Sequence, residues 1–369
     1  MVFKIVSKSG TARTGILKTA HGKIKTPFFM PVITKGAGKY LTFDILNDVK
    51  TQCFISNAYI LSLKPGIETI KKAKGYHNFL NWQKSIFTDS GGFQLKDPEF
   101  FISLDKKGVN FRDPFSKEKV FLSPERLIEI QNNIGSDIAM ILDDMVDANK
   151  PKKEYEDAVE ITIDWAKRAV KAHKNKKQLL FGIVQGGIYK DLREKCAKEI
   201  NSLPFDGIAI GGLALGESKE NMYKAIDYSL KYIGKEKIKY LMGVGSPEDV
   251  VKCIGKGVDC FDSIYPTKMA RHGVLFTRKG VLKLGKGKCK NNFGKVDEDC
   301  DCYTCRNHSI AYLDHLYRLD ESSYKILASI HNVRFMQKLM EDTRKAIEKG
   351  RYKEFQKKFL KNYERGGKT

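Results

Sequence analysis

The chain has 369 residues, 41% hydrophobic and 30% charged, a balance that fits a folded protein with a sizeable core in one large domain or two ordinary ones. Its N-terminal stretch MVFKIVSKSGTARTG holds no long apolar run, so it reads as neither a signal peptide nor a membrane span, and the chain is expected in the cytoplasm. Sixty-six Lys and Arg stand against 44 Asp and Glu, a net charge of +22; eight of them fall between Lys268 and Lys290 with no acid, and seven between Arg351 and Lys368, so a polyanion such as nucleic acid is the expected partner.

Short apolar runs recur along the chain, each ending in small or polar residues. In order they are FFMPVI (28–33), CFIS (53–56), SIFT (85–88), DIAMILD (137–143), LLFGIV (179–184), GIAIG (207–211), YLMGV (240–244) and GVDCFD (257–262). Each predicts a buried strand. Helix-like stretches fill most gaps. Ser123-Pro124 predicts one helix start, with Ser as N-cap and Pro at the first helical position. KEYEDAVEITIDWAKRAVKAH (153–173) carries apolar residues at helical spacing and reads as the longest helix. Eight strands alternating with helices predict an α/β fold, a (β/α)8 TIM barrel, with a doubly wound open sheet as the second choice.

Two gaps break the alternation. Residues 95–122 after the third strand contain GVNFRDPFSKEKVFLS and predict a hairpin insertion. Residues 268–305 after the eighth hold the basic run and a cysteine cluster.

Barrels place their sites at the C-terminal ends of the strands. Those ends read TDSGGFQ, LDD, VQGG, GGLALGE and FDSIYPTK, which bring Asp89, Asp143 and Asp262 towards one mouth. One Asp at a strand end is commonly a helix cap. Three beside Gly-rich turns, where a flat ligand can approach the backbone, are harder to read that way.

The cluster Cys300-x-Cys302-x2-Cys305 holds three of the eight cysteines and has metal-ligand spacing. Disulfides are not expected in so large a chain with its cysteines crowded together. The fourth ligand is open among Cys289, His308, His315 and His331, and local spacing favours His308.

Taken together and in order, TPFFMPV, TDSGGFQ, GVNFRDP, LSPERLIEIQ, VQGG, GGLALGE, GVDCFDSIYPT, CDCYTC and HNVRFMQKLM resemble the tRNA-guanine transglycosylase family over nearly the whole chain. The resemblance implies exchange of a guanine in tRNA for a free 7-deazaguanine base without cleavage of the phosphate backbone. It implies Asp262 as nucleophile and Asp89 as general acid/base. Asp143, Gln185 and the Gly212 backbone would read the purine edge, and Phe93 and Met242 would sandwich its faces. Leu215 occupies the position beside the base's 7-substituent, and Lys268 and Arg271 would contact tRNA. His331, in HNVRF, would be the fourth metal ligand. Cys3His around Zn2+ leaves no open position, so the metal would be structural and would fix the basic insertion of about 268–331 within a single barrel domain spanning 1–369. A homodimer is also implied.

The sequence departs from the family pattern in places. Asp143-Asp144-Met145 stands where bacterial members have Asp-Glu-Cys and looks more like the eukaryotic catalytic subunit. Lys268 replaces an Arg and loses its bidentate fork. The C-terminal segment resembles the bacterial and eukaryotic form, which favours the anticodon wobble guanine over an archaeosine-type site in the tRNA core. The competing readings are a zinc hydrolase on a barrel, a non-catalytic tRNA-binding subunit and a DNA-modifying relative.

Overall fold

The computed structural model describes residues 2–91 and 99–366. The chain opens with a three-stranded antiparallel meander, β1 (Phe3–Ser9), β2 (Ala12–Thr19) and β3 (Gly22–Thr26). The barrel strands begin with β4 (Phe28–Met30), β5 (Cys53–Asn57) and β6 (Ser85–Asp89). Strands β7 (Phe101–Asp105), β8 (Gly108–Arg112) and β9 (Lys119–Leu122) then form a small antiparallel sheet. The barrel resumes with β10 (Ile138–Met140), β11 (Leu179–Val184), β12 (Gly207–Ile210), β13 (Ile238–Leu241) and β14 (Cys260–Asp262). Last comes the hairpin β15 (Val274–Thr277) and β16 (Gly280–Lys283).

The eight strands pair in parallel in the order β4-β14-β13-β12-β11-β10-β6-β5. Val32 bridges Ile55 in parallel, and the Ile33 N–H donates to the Ile55 carbonyl at 2.8 Å, so β4 meets β5 and the sheet closes into the expected barrel. The strands are buried almost without a break, as parallel strands covered on both sides must be. Aromatic rings fill the barrel. Phe87 lies 6.0 Å from Phe28, 5.8 Å from Phe181 and 6.2 Å from Tyr240, centroid to centroid, each pair tilted or edge-on. Truncating such a ring to Ala costs about 3–5 kcal/mol.

Helices cover the outside. Ser123 caps Pro124–Ile134 as expected: its hydroxyl accepts from the Arg126 N–H at 3.2 Å, and Gly135 ends the helix at φ +75°. The helix Lys152–Ala172 has 21 residues, but Ser322–Glu348 has 27 and is the longest. Buried and polar residues mix around that longer helix because it packs against both barrel and insertion, so no single apolar stripe announced it.

Two further expectations need correction. The insertion after β6 is three-stranded: the expected hairpin is β8–β9, and FISLD adds β7, joined through a tight turn in which Asp105 Oδ1 accepts the Lys107 N–H at 2.7 Å. The N-terminal meander was not foreseen. It closes the barrel bottom. Arg13 pairs with Asp259 just before β14, with nitrogen–oxygen distances of 2.8 and 2.6 Å. Thr19 Oγ1 lies 2.8 Å from Ser85 Oγ at the start of β6, and the His21 N–H donates to Asp137 before β10 at 2.8 Å. The opposite mouth carries the strand ends singled out above.

Candidate active site and metal centre

Register brings the acidic residues to one mouth. Asn57 pairs with Asp89 at the end of β5 and β6, and Asp262 pairs with Met30 at the end of β14. Asp143 follows β10 by three residues, Gln185 follows β11 directly, Gly211-Gly212 follow β12 and Met242 follows β13. Phe93, the expected second face of a base sandwich, lies outside the described residues; Met242 is half-buried.

Among the described residues two donors hold Asp262. The Tyr240 hydroxyl donates to its Oδ1 at 2.6 Å and the Gly243 N–H to the same oxygen at 3.0 Å. Burial raises its pKa, and these two bonds pull the other way. The Gly91 N–H donates to Asp89 Oδ1 at 3.1 Å. Burial first, then the charge of Asp262, with a smaller contribution from Asp143, pushes Asp89 up to about 8. Of these carboxylates Asp89 is thereby favoured to carry a proton near neutrality. An acid and a carboxylate set apart by environment form the pairing that acid/base and nucleophilic chemistry needs.

Beside them lies a polar edge. Gln185 Nε2 donates to Asp143 Oδ2 at 2.7 Å. Gln185 Oε1 lies so close to Gly212 that a Cβ there would fall 2.2 Å from it, and Gly212 sits at φ +63°, so a side chain there would be strained and would displace the Gln185 amide. Asp143, Gln185 and Gly212 thus form one contiguous group. The turn after β12 is fixed by Glu217, whose carboxylate accepts the Ala214 N–H at 2.6 Å and the Leu215 N–H at 3.0 Å. Leu215 is half-buried and, with Gly212, Glu217, Tyr155 and Ile188, lines a cavity of about 110 Å³.

Lys268 and Arg271 lie on the helix Tyr265–Arg271, which follows β14 at this mouth. Lys268 is exposed. Arg271 is half-buried, its Nη1 makes no hydrogen bond among the described residues, and burial lowers its pKa.

Cys300, Cys302, Cys305 and His331 are all buried, with ligand atoms within 4.8 Å of one another. His331 Nδ1 lies 3.2 Å from Cys305 Sγ, while its Nε2 donates to the Phe276 carbonyl at 2.7 Å. That outer bond fixes the ring with Nδ1 towards the thiols, the arrangement a metal-bound histidine needs. The group can hold a metal ion. His308, favoured by local spacing, instead stacks on Tyr312 with centroids 5.1 Å apart; His315 is exposed, and Cys289 points to the Lys283 carbonyl at 3.5 Å. Next to His331, Asn332 donates to the Pro266 and Val274 carbonyls, both at 2.9 Å, and so ties this Cys3His group to the segment following Asp262.

A second metal-capable group, His21, His77 and Asp137, sits at the barrel bottom. The imidazoles stack 3.6 Å apart with planes 17° from parallel, so their in-plane lone pairs run side by side and do not converge on one ion. Each instead donates to Asp137 at 3.0 Å.

Sequence reasoning missed Tyr240, Glu217 and Arg193. Tyr240 alternates with Leu241 towards the barrel interior, and that period of two was the available signal. Among the described residues no helix is long and apolar enough to cross a membrane.

The family model described as queuine tRNA-ribosyltransferase matches residues 8–365. The chain is 45% identical over 364 residues to the queuine tRNA-ribosyltransferase of Thermoanaerobacter sp. (strain X514), covering 98% of this chain and 97% of that protein. It is 45% identical over 370 residues to the protein of the same name from Aquifex aeolicus, covering 97% of each, and 44% identical over 357 residues to that of Staphylococcus haemolyticus, covering 96% and 94%. With a barrel mouth that gathers Asp89, Asp143 and Asp262 and a profile match over nearly its full length, this chain belongs to the tRNA-guanine transglycosylase (queuine tRNA-ribosyltransferase) family.

Proposed function

We propose that the chain exchanges a guanine in tRNA, at the anticodon wobble position, for a free 7-deazaguanine base. The observation that carries this reading is the placement of Asp262, with its two donors, beside the proton-bearing Asp89. In the proposed reaction Asp262 attacks the anomeric carbon, the glycosidic bond breaks, and Asp89 gives its proton to the departing guanine. The incoming base then returns a proton to Asp89 and displaces Asp262. The bond broken and the bond made are alike, so no energy source is required.

Asp143 would accept from the N–H groups of the purine edge, and Gln185 and the Gly212 N–H would donate to its carbonyl oxygen. Met242 and Phe93 would cover its faces. Cys300, Cys302, Cys305 and His331 would hold Zn2+, which would brace the 268–331 subdomain of a single barrel domain, 1–369; the chemistry stays with the carboxylates. Lys268 and Arg271 would meet tRNA phosphates, and the enzyme would work as a cytoplasmic homodimer.

Radiolabelled guanine exchange tests the reading, run with tRNA, DNA, and tRNAs altered in the anticodon loop or the core. Label should enter tRNA and be lost when the wobble guanine is replaced. Incorporation into DNA, or loss only with core changes, would overturn it.

A further inference from the structure

Arg193 lies on the helix Lys190–Ser202, behind the turns that follow β11 and β12. It is fully buried, and among the described residues no carboxylate pairs with it. Among the described residues its guanidinium donates to backbone carbonyls only. Nε donates to Gly187 O at 2.6 Å, Nη1 to Val184 O at 3.0 Å and Nη2 to Gly212 O at 3.3 Å. The Glu217 carboxylate acts on it only through space, and burying a cation that makes no ion pair is costly, so a side chain kept there for packing alone would be apolar.

The three carbonyls belong to two separate strand ends. Holding Val184 O fixes the peptide plane that carries the Gln185 N–H, which itself donates to Cys196 Sγ, on the same helix, at 3.3 Å. Holding Gly212 O fixes the plane leaving Gly212. There is little slack around the fork. A Cβ on Gly186 would lie 2.9 Å from the Arg193 backbone nitrogen, and one on Gly187 would lie 2.5 Å from the Tyr155 ring. Tyr155 in turn donates to Asp147 O at 2.6 Å, which joins the turn after β10 to the same unit.

We infer that Arg193 is a positioning residue for base recognition, setting Gln185 and Gly212 at the spacing that reads the carbonyl edge of a purine-like base. It touches no substrate itself and acts through the two turns. The inference rests on the preceding reading of the site. Burial pushes the guanidinium down to about 10, so the fork stays charged at neutral pH. Lysine would keep the charge but offers a point where the fork spans two turns.

The test compares wild type with Arg193→Lys and Arg193→Met in guanine exchange, varying base and tRNA separately. We expect KM for guanine to rise about tenfold or more in both, KM for tRNA to move by less than about threefold, and Lys to recover part of what Met loses. A fall in kcat that follows lost thermal stability, with KM for guanine unmoved, would assign Arg193 a purely structural role and overturn the inference; so would unchanged kinetics. If Arg193→Met does not fold, Arg193→Lys decides alone. If wild type exchanges no guanine, the proposed function falls, and calorimetric guanine binding still decides this point: equal affinity in wild type and Arg193→Lys overturns it, and a loss of about tenfold supports it.

Discussion

The Tyr240 hydroxyl donates to Asp262 Oδ1 at 2.6 Å from a ring that is itself packed inside the barrel against Phe87. Tyr240 is wholly buried, so the packing that stabilises the barrel also aims the donor. A hydrogen bond to a charged group is worth about 1.5–3 kcal/mol, so Tyr240→Phe should slow formation of the covalent tRNA adduct about tenfold to a hundredfold while preserving the fold. Asp262→Asn should abolish the adduct, because an amide neither attacks nor stabilises the sugar cation. Asp89→Asn should slow exchange and leave tRNA binding intact. Denaturing gels with labelled tRNA read the first two, guanine exchange and filter binding read the third, and a stable adduct with Asp262→Asn would refute the assignment.

The carboxylates make a pH prediction. Asp89 is raised to about 8, mainly by burial and then by Asp262. Below about 8 it carries the proton a departing base requires, so the glycosidic step should fall as pH rises through that value. Its contribution to stability has the same sign. The folded pKa lies above the unfolded value of about 3.9, so that contribution is full below about 3.9 and is lost as pH climbs towards 8. Asp262→Asn removes the neighbouring charge and should lower the Asp89 titration. Difference infrared spectroscopy of the carboxyl band measures this; an unmoved titration would mean that Asp262 does not act on Asp89.

The metal centre should matter for tRNA before it matters for the base. Arg334 pairs with Asp301, between two of the cysteines, at 2.6 and 3.0 Å, and Asn332 ties the insertion to Pro266. The cysteine loop is thus anchored from the long helix by more than its thiols. Cys302→Ser should lower bound zinc and thermal stability and weaken tRNA binding, with free guanine binding changed little. Metal analysis, calorimetry and filter binding check each part. Lost guanine binding in a folded, zinc-free protein would favour a catalytic metal instead.

The barrel was legible because parallel strands buried on both faces leave continuous apolar runs, and all eight runs became strands. Asp89 and Asp262 were legible because each closes such a run. The meander β1–β3 was not, since its alternating residues mix Lys and Ser with few large apolar groups, and its purpose appears only in pairs such as Arg13–Asp259, 246 residues apart in sequence. The fourth metal ligand illustrates the same limit. Spacing alone favoured His308, three residues from Cys305, but the short helix Tyr303–Asn307 turns His308 towards Tyr312, and His331 arrives from a separate helix.

Lys268 and Arg271 share a helix at the mouth that carries Asp262. Replacing both with Ala should weaken tRNA binding and flatten its dependence on salt, because fewer counterions are released. Guanine binding should barely change. Binding titrations at several salt concentrations give the slope; unchanged tRNA affinity at low salt would move the anticodon contact elsewhere.

Leu215 should decide which base enters. Glu217 holds the Leu215 N–H at 3.0 Å, which fixes the backbone of the turn, and the Leu215 side chain borders a cavity of about 110 Å³ shared with Gly212. A small 7-substituent, aminomethyl or cyano, suits that space better than the bulky ring of queuine. Overpacking of this kind costs about 1–3 kcal/mol, or about tenfold to a hundredfold in binding. The Asp144-Met145 pair points the other way, towards the eukaryotic pattern. However, Asp144 is buried, with its N–H donating to Thr162 Oγ1 at 3.0 Å, whereas Leu215 stands in the cavity wall itself. Sterics should therefore decide. Exchange assays with the three bases should show 7-aminomethyl- and 7-cyano-7-deazaguanine used well and queuine poorly. Leu215→Gly should raise queuine use about tenfold and leave the small bases within a few-fold of wild type. Efficient queuine incorporation by the unaltered protein would mean that the substituent leaves the pocket by another path.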